Sequence, residues 1–231
     1  MATPRHTLTA FDEDLDRLRA LISEMGGLAE HAIVEAMRCL SQRDLDGAQR
    51  VVEDDRKLDA LEVETEKRVV QLIALRAPMA GDLRDVVAAL KIAGVVERIG
   101  DYAKNIAKRV PQLEGAGKIE PLSLLPEMAR IAAQMVHDVL NAFVNRDAEA
   151  AVRVCERDRA VDDFYDSVFR TLLTHMMEDP HSIRQATHLL FVAKNLERVG
   201  DHATNIAEMV YYAATGRHMG ERVKGGDGLG V

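Results

Sequence analysis

The 231-residue chain has no tryptophan, and only 4% of its residues are aromatic. It has six prolines, two cysteines and no apolar run that approaches the roughly 18 residues of a membrane-spanning helix. Its apolar residues are mostly Ala, Val, Leu, Ile and Met, which favour helices over a β-sandwich. This composition argues against an all-β fold, a disulfide framework and a membrane span.

Basic residues are not in excess either. With 30 Lys and Arg against 38 Asp and Glu, the formal net charge is −8, whereas a nucleic-acid binder typically presents a cationic face. Cys39 and Cys155 lie too far apart in sequence to form a metal or redox motif, which fits a reducing compartment. The first residues have no apolar core of a leader peptide. We therefore predict a soluble cytoplasmic protein with no nucleic-acid partner.

Helical periodicity runs through almost the whole chain, and turn-forming residues interrupt it in five places. These interruptions are at 41–46, 77–81, 111–126, 145–147 and 178–182. They predict six helices of roughly 20 to 35 residues in two sets of three. We expect an all-α protein of two tandem three-helix bundles, at 11–112 and 122–215. The glycine-rich segment 216–231 is predicted to be a flexible tail.

Two sequence blocks occur twice in the chain. Residues 97–107 read ERIGDYAKNIA and residues 197–207 read ERVGDHATNIA, which are identical at 8 of 11 positions. The block DRKLD at 55–59 matches DRAVD at 158–162, at an offset of 103. In contrast, residues 71–96 share only 4 identities with 171–196. The chain is therefore predicted to be an internal duplication in which a few polar positions stayed the same while packing positions diverged.

The third helix of each half carries a polar stripe opposite an apolar seam. The stripes are Glu97, Asp101 and Asn105 in the first half, and Glu197, Asp201 and Asn205 in the second. The predicted seams are Ile92, Val96, Ile99, Ala103, Ile106 and Val110, and Val192, Leu196, Val199, Ala203, Ile206 and Val210. The stripe is expected to face solvent or a neighbouring helix.

Carboxylates one helical turn apart repel each other by a few tenths of a kcal/mol unless a cation intervenes. Four all-oxygen ligands in each half suit Mg²⁺, Mn²⁺ or ferric iron better than a structural zinc. The candidate metal ligands are Asp55, Asp59, Glu97, Asp101, Asp158, Asp162, Glu197 and Asp201. Asn105 and Asn205, one turn further on, would support them. Gly100 and Gly200, inside the motifs, are predicted to allow close approach of another backbone or a ligand.

Ordinary surface charge is the competing interpretation. By chance, 38 acidic residues would give about six pairs at this spacing, so one pair alone indicates only a solvated helix face. Lys104 and Lys108 share a face with Asp101 and could neutralise it, but Thr204 and Glu208 replace them in the second copy. There the stripe is expected to have no cation of its own on that face, which favours a metal more strongly in the second half.

Two other classes remain open. A metal-free helical adaptor would use its acidic stripes as protein contact faces. A metalloenzyme of the diiron type would need Glu-x-x-His pairs on helices. The one such spacing, from Glu178 to His181, is broken by Pro180, so no enzyme is predicted. Elemental analysis of the purified protein would separate a metal-binding protein from an adaptor.

The duplicated motifs resemble those of the PhoU family, the phosphate-transport accessory proteins of bacteria. Two copies of E-R-[IV]-G-D-x-A-x-N-I-A, each preceded about 40 residues earlier by D-R-x-[LV]-D, carry the resemblance. It extends from about Phe11 to Gly216, nearly the whole chain. It implies two three-helix bundles side by side, commonly in a homodimer in the cytoplasm.

The resemblance also implies a negative regulator rather than an enzyme. Its implied partners are the ATPase subunit of the phosphate-specific ABC importer and the phosphate-sensing histidine kinase, with contact to the membrane only through them. Members of the family bind iron, zinc or other divalent ions on the bundle surface. Carried over by position, these would be held by the eight carboxylates named above.

Overall fold

The computed structural model describes residues 4–113 and 120–220, and within these ranges it contains helices and no strand. The six α-helices are α1 (Pro4–Gln42), α2 (Leu45–Arg76), α3 (Gly81–Ala107), α4 (Leu125–Asn145), α5 (Ala148–Glu178) and α6 (Ile183–Thr215). Short 3-10 turns lie at Val110–Leu113, Glu120–Leu124 and Pro180–Ser182. The predicted all-α fold of two three-helix sets is confirmed. Most of the predicted tail, from 221 onward, lies outside the described residues.

The turns that lead into α2 and α5 have the same construction. Asp44 and Asp147 cap the two helices, and each side chain accepts a hydrogen bond from the amide three residues further on, at 2.8 and 2.9 Å. These bonds satisfy donors that a helix start leaves unpaired. Arg43 and Arg146, which precede the caps, both adopt left-handed backbone conformations, with φ of 56° and 53°. The duplication is thus visible in the backbone as well as in the motifs.

All six helices contribute to one apolar core that spans both halves. Every residue of the two predicted seams is buried. The equivalent helices α1 and α4 pack against each other, and so do α3 and α6. At the α3–α6 contact, Tyr102 meets its own equivalent, His202, edge to face with 5.2 Å between ring centroids. Contact between equivalent residues is what an approximate twofold axis between the halves produces.

The first helix is longer than predicted. The α1 helix has 39 residues whereas its counterpart α4 has 21. It begins at Pro4, a residue tolerated in the first helical turn because the N–H there has no partner within the helix. Its early turns pack on the far end of α2 and α3 in a separate apolar cluster, Leu15, Leu18, Val69, Leu72 and Val86. Within the described ranges, none of the helices combines the length and apolarity needed to cross a bilayer.

Candidate functional site

The outer groove of each half, α2–α3 in the first and α5–α6 in the second, is narrow at the motif glycines. A Cβ built on Gly100 would lie 2.4 Å from Leu58 Cδ1 and 3.4 Å from Asp55 Oδ1. A Cβ built on Gly200 would lie 2.9 Å from Asp158 Oδ1. The glycines therefore let the two helices of each groove approach closely, and the predicted close contact is made with side chains of the facing helix. This approach places the carboxylates of neighbouring helices together.

We call Asp55, Asp59, Glu97 and Asp101 the first acidic cluster. The pKa of Glu97 is raised by burial and by the negative charges of the other members and of Glu62. The side chain of Asp55 is buried at only 7% exposure, and Asp59 lies exposed. The four carboxylates predicted for the first half thus lie close enough together to act on one another electrostatically.

Lys104 is the internal cation of the first acidic cluster. Its Nζ donates to Asp101 Oδ1 at 2.7 Å and also to Asp55, so that it links α3 to α2. Hydrogen bonds to these two carboxylates raise the pKa of Lys104 above its usual value. The predicted ion pair between Lys104 and Asp101 is confirmed. A metal ion at this cluster would have to displace the ammonium group.

Glu62 belongs to the same groove but was not predicted as part of it. Its pKa is raised by burial and by the charges of Glu66 and Asp59. A Cβ built on Gly94 of α3 would lie 3.2 Å from Glu62 Oε1. The internal repeat does not reveal this residue because its equivalent in the second half is Tyr165. The spacing of three from Asp59 does place it on the same helix face.

We call Asp158, Asp162, Glu197 and Asp201 the second acidic cluster. Burial and the charges of the three other carboxylates raise the pKa of Asp158 to about 6. Its Oδ1 atom is buried and accepts no hydrogen bond from any described residue. Asp162 and Asp201 are exposed. The structure therefore also gathers the four carboxylates predicted for the second half.

The expectation that the second stripe has no cation of its own is wrong. Lys194, one turn before Glu197 on α6, donates to Glu197 Oε1 at 2.6 Å. Its Nζ also lies 5.3 Å from the centre of the Tyr165 ring. Lys194 precedes the motif, and its equivalent in the first half is Gly94. The two copies therefore give no sign of this lysine when they are compared. This lysine does not hydrogen-bond Asp158, whose buried oxygen keeps no partner among the described residues.

The metal assignment stays a prediction. Within residues 4–113 and 120–220, no group of three or more His, Cys, Asp or Glu side chains is arranged to hold a metal ion. Of the two amides predicted to support the carboxylates, Asn105 is half-buried and Asn205 exposed. The second acidic cluster fits a hard cation better than the first, because its donors are all oxygens and the buried Oδ1 of Asp158 has no partner among the described residues. In the first cluster, Lys104 already occupies the corresponding place.

The fold and the two clusters define a duplicated helical-bundle protein with one acidic cluster in each repeat. A model of the PhoU domain matches residues 22–110 and 125–210, one match in each half. The chain belongs to the PhoU family. The family assignment confirms both the resemblance seen in the motifs and the expectation that the protein is not an enzyme.

Relatives and solved structures agree with this assignment. The chain is 54% identical to a phosphate-specific transport system accessory protein PhoU homolog of Zymomonas mobilis, over 96% of this chain and 94% of the relative. It is similar to the crystal structure of PhoU from Pseudomonas aeruginosa, with a TM-score of 0.85 and 35% identity, over 90% of this chain and 100% of that one. For the phosphate transport system regulatory protein PhoU from Streptococcus pneumoniae, the TM-score is 0.84 and the identity 28%, over 90% and 99%.

Proposed function

We propose that this chain is a cytoplasmic regulator of phosphate uptake that lowers the activity of a phosphate-specific ABC importer and the signalling of a phosphate-sensing two-component system. Its partners in this proposal are the importer's ATPase subunit and the sensor histidine kinase, and the chain acts as a homodimer. Support comes from the family assignment and from the accessory role named for a relative at 54% identity. In phosphate-rich cells, loss of the protein leaves the uptake system active.

The acidic clusters are the contact faces in this proposal, and the observation that carries it is the gathering of four carboxylates in the groove of each half. Exposed members such as Asp162 and Asp201 can reach a partner, while their buried neighbours concentrate the negative potential. Basic side chains of a partner would relieve the repulsion within the cluster. Binding would therefore depend on charge and weaken with added salt.

A phosphate-responsive reporter in a deletion strain tests this role. We expect wild-type protein to restore repression in high phosphate, and the double variant Glu197→Gln with Asp201→Asn to fail. The matched control is Glu156→Gln with Asp163→Asn, which makes the same change in charge at exposed positions on the other side of α5. Full repression by the Glu197 and Asp201 variant would contradict the proposed role of the second cluster.

A metal-binding second cluster is the other candidate, because Asp158 Oδ1 is buried without a partner among the described residues. Asp158, Asp162, Glu197 and Asp201 would hold the ion, which would be iron, zinc, magnesium or manganese. It would supply positive charge that neutralises the cluster. Calorimetric titration with Mg²⁺, Mn²⁺ and Fe³⁺ compares wild type with the Glu197→Gln, Asp201→Asn variant. Equal uptake by the two proteins would end the metal candidate.

A further inference from the structure

The α5–α6 groove continues from the second acidic cluster into exposed apolar side chains. On α5, residues 158, 162, 165, 169 and 173 are spaced by four and three, so they share one helix face. Phe169 and Leu173 are 42% and 47% exposed, and Ile183 on the facing helix is 48% exposed. One end of the groove is therefore acidic, and the other end is apolar and open to solvent.

The aromatic side chains at this end are specific to the second half, whereas Leu173 and Ile183 have the exposed apolar equivalents Val70 and Leu83 in the first half. Tyr165 and Phe169 stand where the first half has Glu62 and Glu66, at the same offset as the repeated DRKLD and DRAVD blocks. This face of α5 thus holds two aromatic residues in a chain of which only 4% is aromatic. Exposed aromatic side chains beside polar ones are characteristic of protein contact surfaces.

The internal cation of the groove, Lys194, further defines how a partner segment can lie in it. Lys194 lies over Tyr165, between the acidic and apolar ends. A basic partner residue would be repelled beside Lys194, but it would be attracted further along the groove by Asp158 and Asp162. The arrangement of residues along a partner segment is thereby fixed, with apolar residues at one end and basic residues at the other.

We propose that the α5–α6 groove binds an amphipathic helix of a partner protein, with its apolar side chains on Phe169, Leu173 and Ile183 and its Lys or Arg side chains on the second acidic cluster. From Asp158 to Leu173, α5 rises about 22 Å, which a partner helix of about 15 residues spans. The inference rests on the proposed function, for which it names the kind of partner segment. Acidic side chains in the groove disfavour an anionic lipid surface as the occupant.

Fluorescence anisotropy with the full-length protein tests the inference. The probe is a labelled synthetic helix of about 15 residues with leucines on one stripe at one end and lysines at the other, and the comparison peptide has glutamates in place of the lysines. We expect Phe169→Ser with Leu173→Ser to weaken binding of the lysine peptide by about tenfold or more. Val70→Ser with Ile73→Ser makes a matched apolar-to-polar change in the α2–α3 groove and should leave binding unchanged.

Several outcomes would overturn the inference. These are equal binding by both serine variants, equal binding of the glutamate peptide, and binding that chelator abolishes and Mn²⁺ restores. Two further outcomes assign the groove to another occupant when the lysine peptide does not bind. One is self-association that only the Phe169 and Leu173 variant loses, measured by sedimentation velocity. The other is co-sedimentation with phosphatidylglycerol vesicles that only this variant loses.

The reporter assay separates failure of the inference from failure of the proposed function. If the peptide does not bind but the Glu197 and Asp201 variant still loses repression, the helix-docking inference is wrong and the regulatory role stands. If that variant represses normally, the proposed role of the second cluster fails whatever the peptide does. Because Phe169 and Leu173 are exposed, their serine variants should stay folded, and thermal unfolding checks this.

Discussion

The two halves of the molecule each pair a lysine with their cluster carboxylates, but the lysines come from opposite ends of the motif and bind different members of the cluster. In the first half, Lys104 follows the motif carboxylates and bridges α3 to α2 through Asp55. In the second half, Lys194 precedes them and hydrogen-bonds Glu197 on its own helix. The residue equivalent to Lys104 in the second half is Thr204, and the residue equivalent to Lys194 in the first half is Gly94. The fold thus keeps the carboxylates in place and varies the position of the compensating charge.

This difference gives the clusters different physical characters. In the first, a buried carboxylate is held by a cation that ties two helices together, which is an arrangement suited to stability. In the second, the lysine leaves the buried Oδ1 of Asp158 without a hydrogen bond from any described residue, and burial together with the neighbouring carboxylates raises the pKa of Asp158 to about 6. A cluster with uncompensated negative charge is suited to binding. The halves are therefore alike in sequence motif and unlike in electrostatic role.

The largest effect is expected from removal of Lys104, and it should contrast with a small effect from removal of Lys194. Lys104→Met leaves the buried carboxylate of Asp55 without its cation, and should lower the free energy of unfolding by about 3 kcal/mol. Lys194→Met removes a more exposed pair and should cost less than about 1 kcal/mol. Urea unfolding of both variants checks the difference, and Asp55→Asn added to Lys104→Met should recover part of the loss. Equal losses in the free energy of unfolding for Lys104→Met and Lys194→Met would contradict the different roles assigned to the two lysines.

An intermediate effect is expected from pH and from the equivalent aspartates Asp55, which is buried, and Asp158, which is partly buried. Because the folded pKa of Asp158 is raised to about 6, ionisation of this group opposes folding. The penalty is absent below the unfolded pKa of about 4 and complete above about pH 6, so this contribution to stability falls as pH rises through that window.

Substitution of the same aspartates measures this penalty. Asp158→Asn should stabilise the protein at neutral pH by on the order of 1 kcal/mol, since solvent screens part of the penalty, and the gain should vanish in acid. Asp55→Asn should destabilise it, because the bridge to Lys104 is weakened. Unfolding by urea between pH 4 and 8 follows both variants. A stability change of the same sign for both would contradict the assignment of different roles.

The smallest effect is expected at the motif glycines. In Gly100→Ala the new methyl group meets Leu58 in the packed core, and the cost of overpacking should exceed the gain in helix propensity by about 1 kcal/mol. In Gly200→Ala it meets the carboxylate of Asp158, which can swing toward solvent, so the net change should stay within about 0.5 kcal/mol. Thermal unfolding of the two alanine variants measures the difference in stability. A larger loss of stability for Gly200→Ala than for Gly100→Ala would contradict this prediction.

Much of this architecture can be predicted from the sequence because it follows from local rules. The apolar spacing of α3 and α6 predicts their buried seams, and turn residues predict where helices end. The repeated carboxylates were located by what the halves have in common. Lys194 and Glu62 cannot be predicted in the same way, because the equivalent residues in the other half are Gly94 and Tyr165. Electrostatic compensation needs a nearby charge but no fixed position, so a repeat does not reveal it.

The pairing of Tyr102 with His202 has a consequence for how this molecule can change over time. In an assembly of two identical subunits, a side chain on the symmetry axis can only meet its own copy, so any substitution there appears twice. When both repeats lie on one chain, the two positions mutate separately. A phenol ring can then sit against an imidazole, with Tyr102 Oη 3.4 Å from His202 Nε2. Covalent linkage of the repeats thus frees the middle of the molecule from the constraint of self-complementarity.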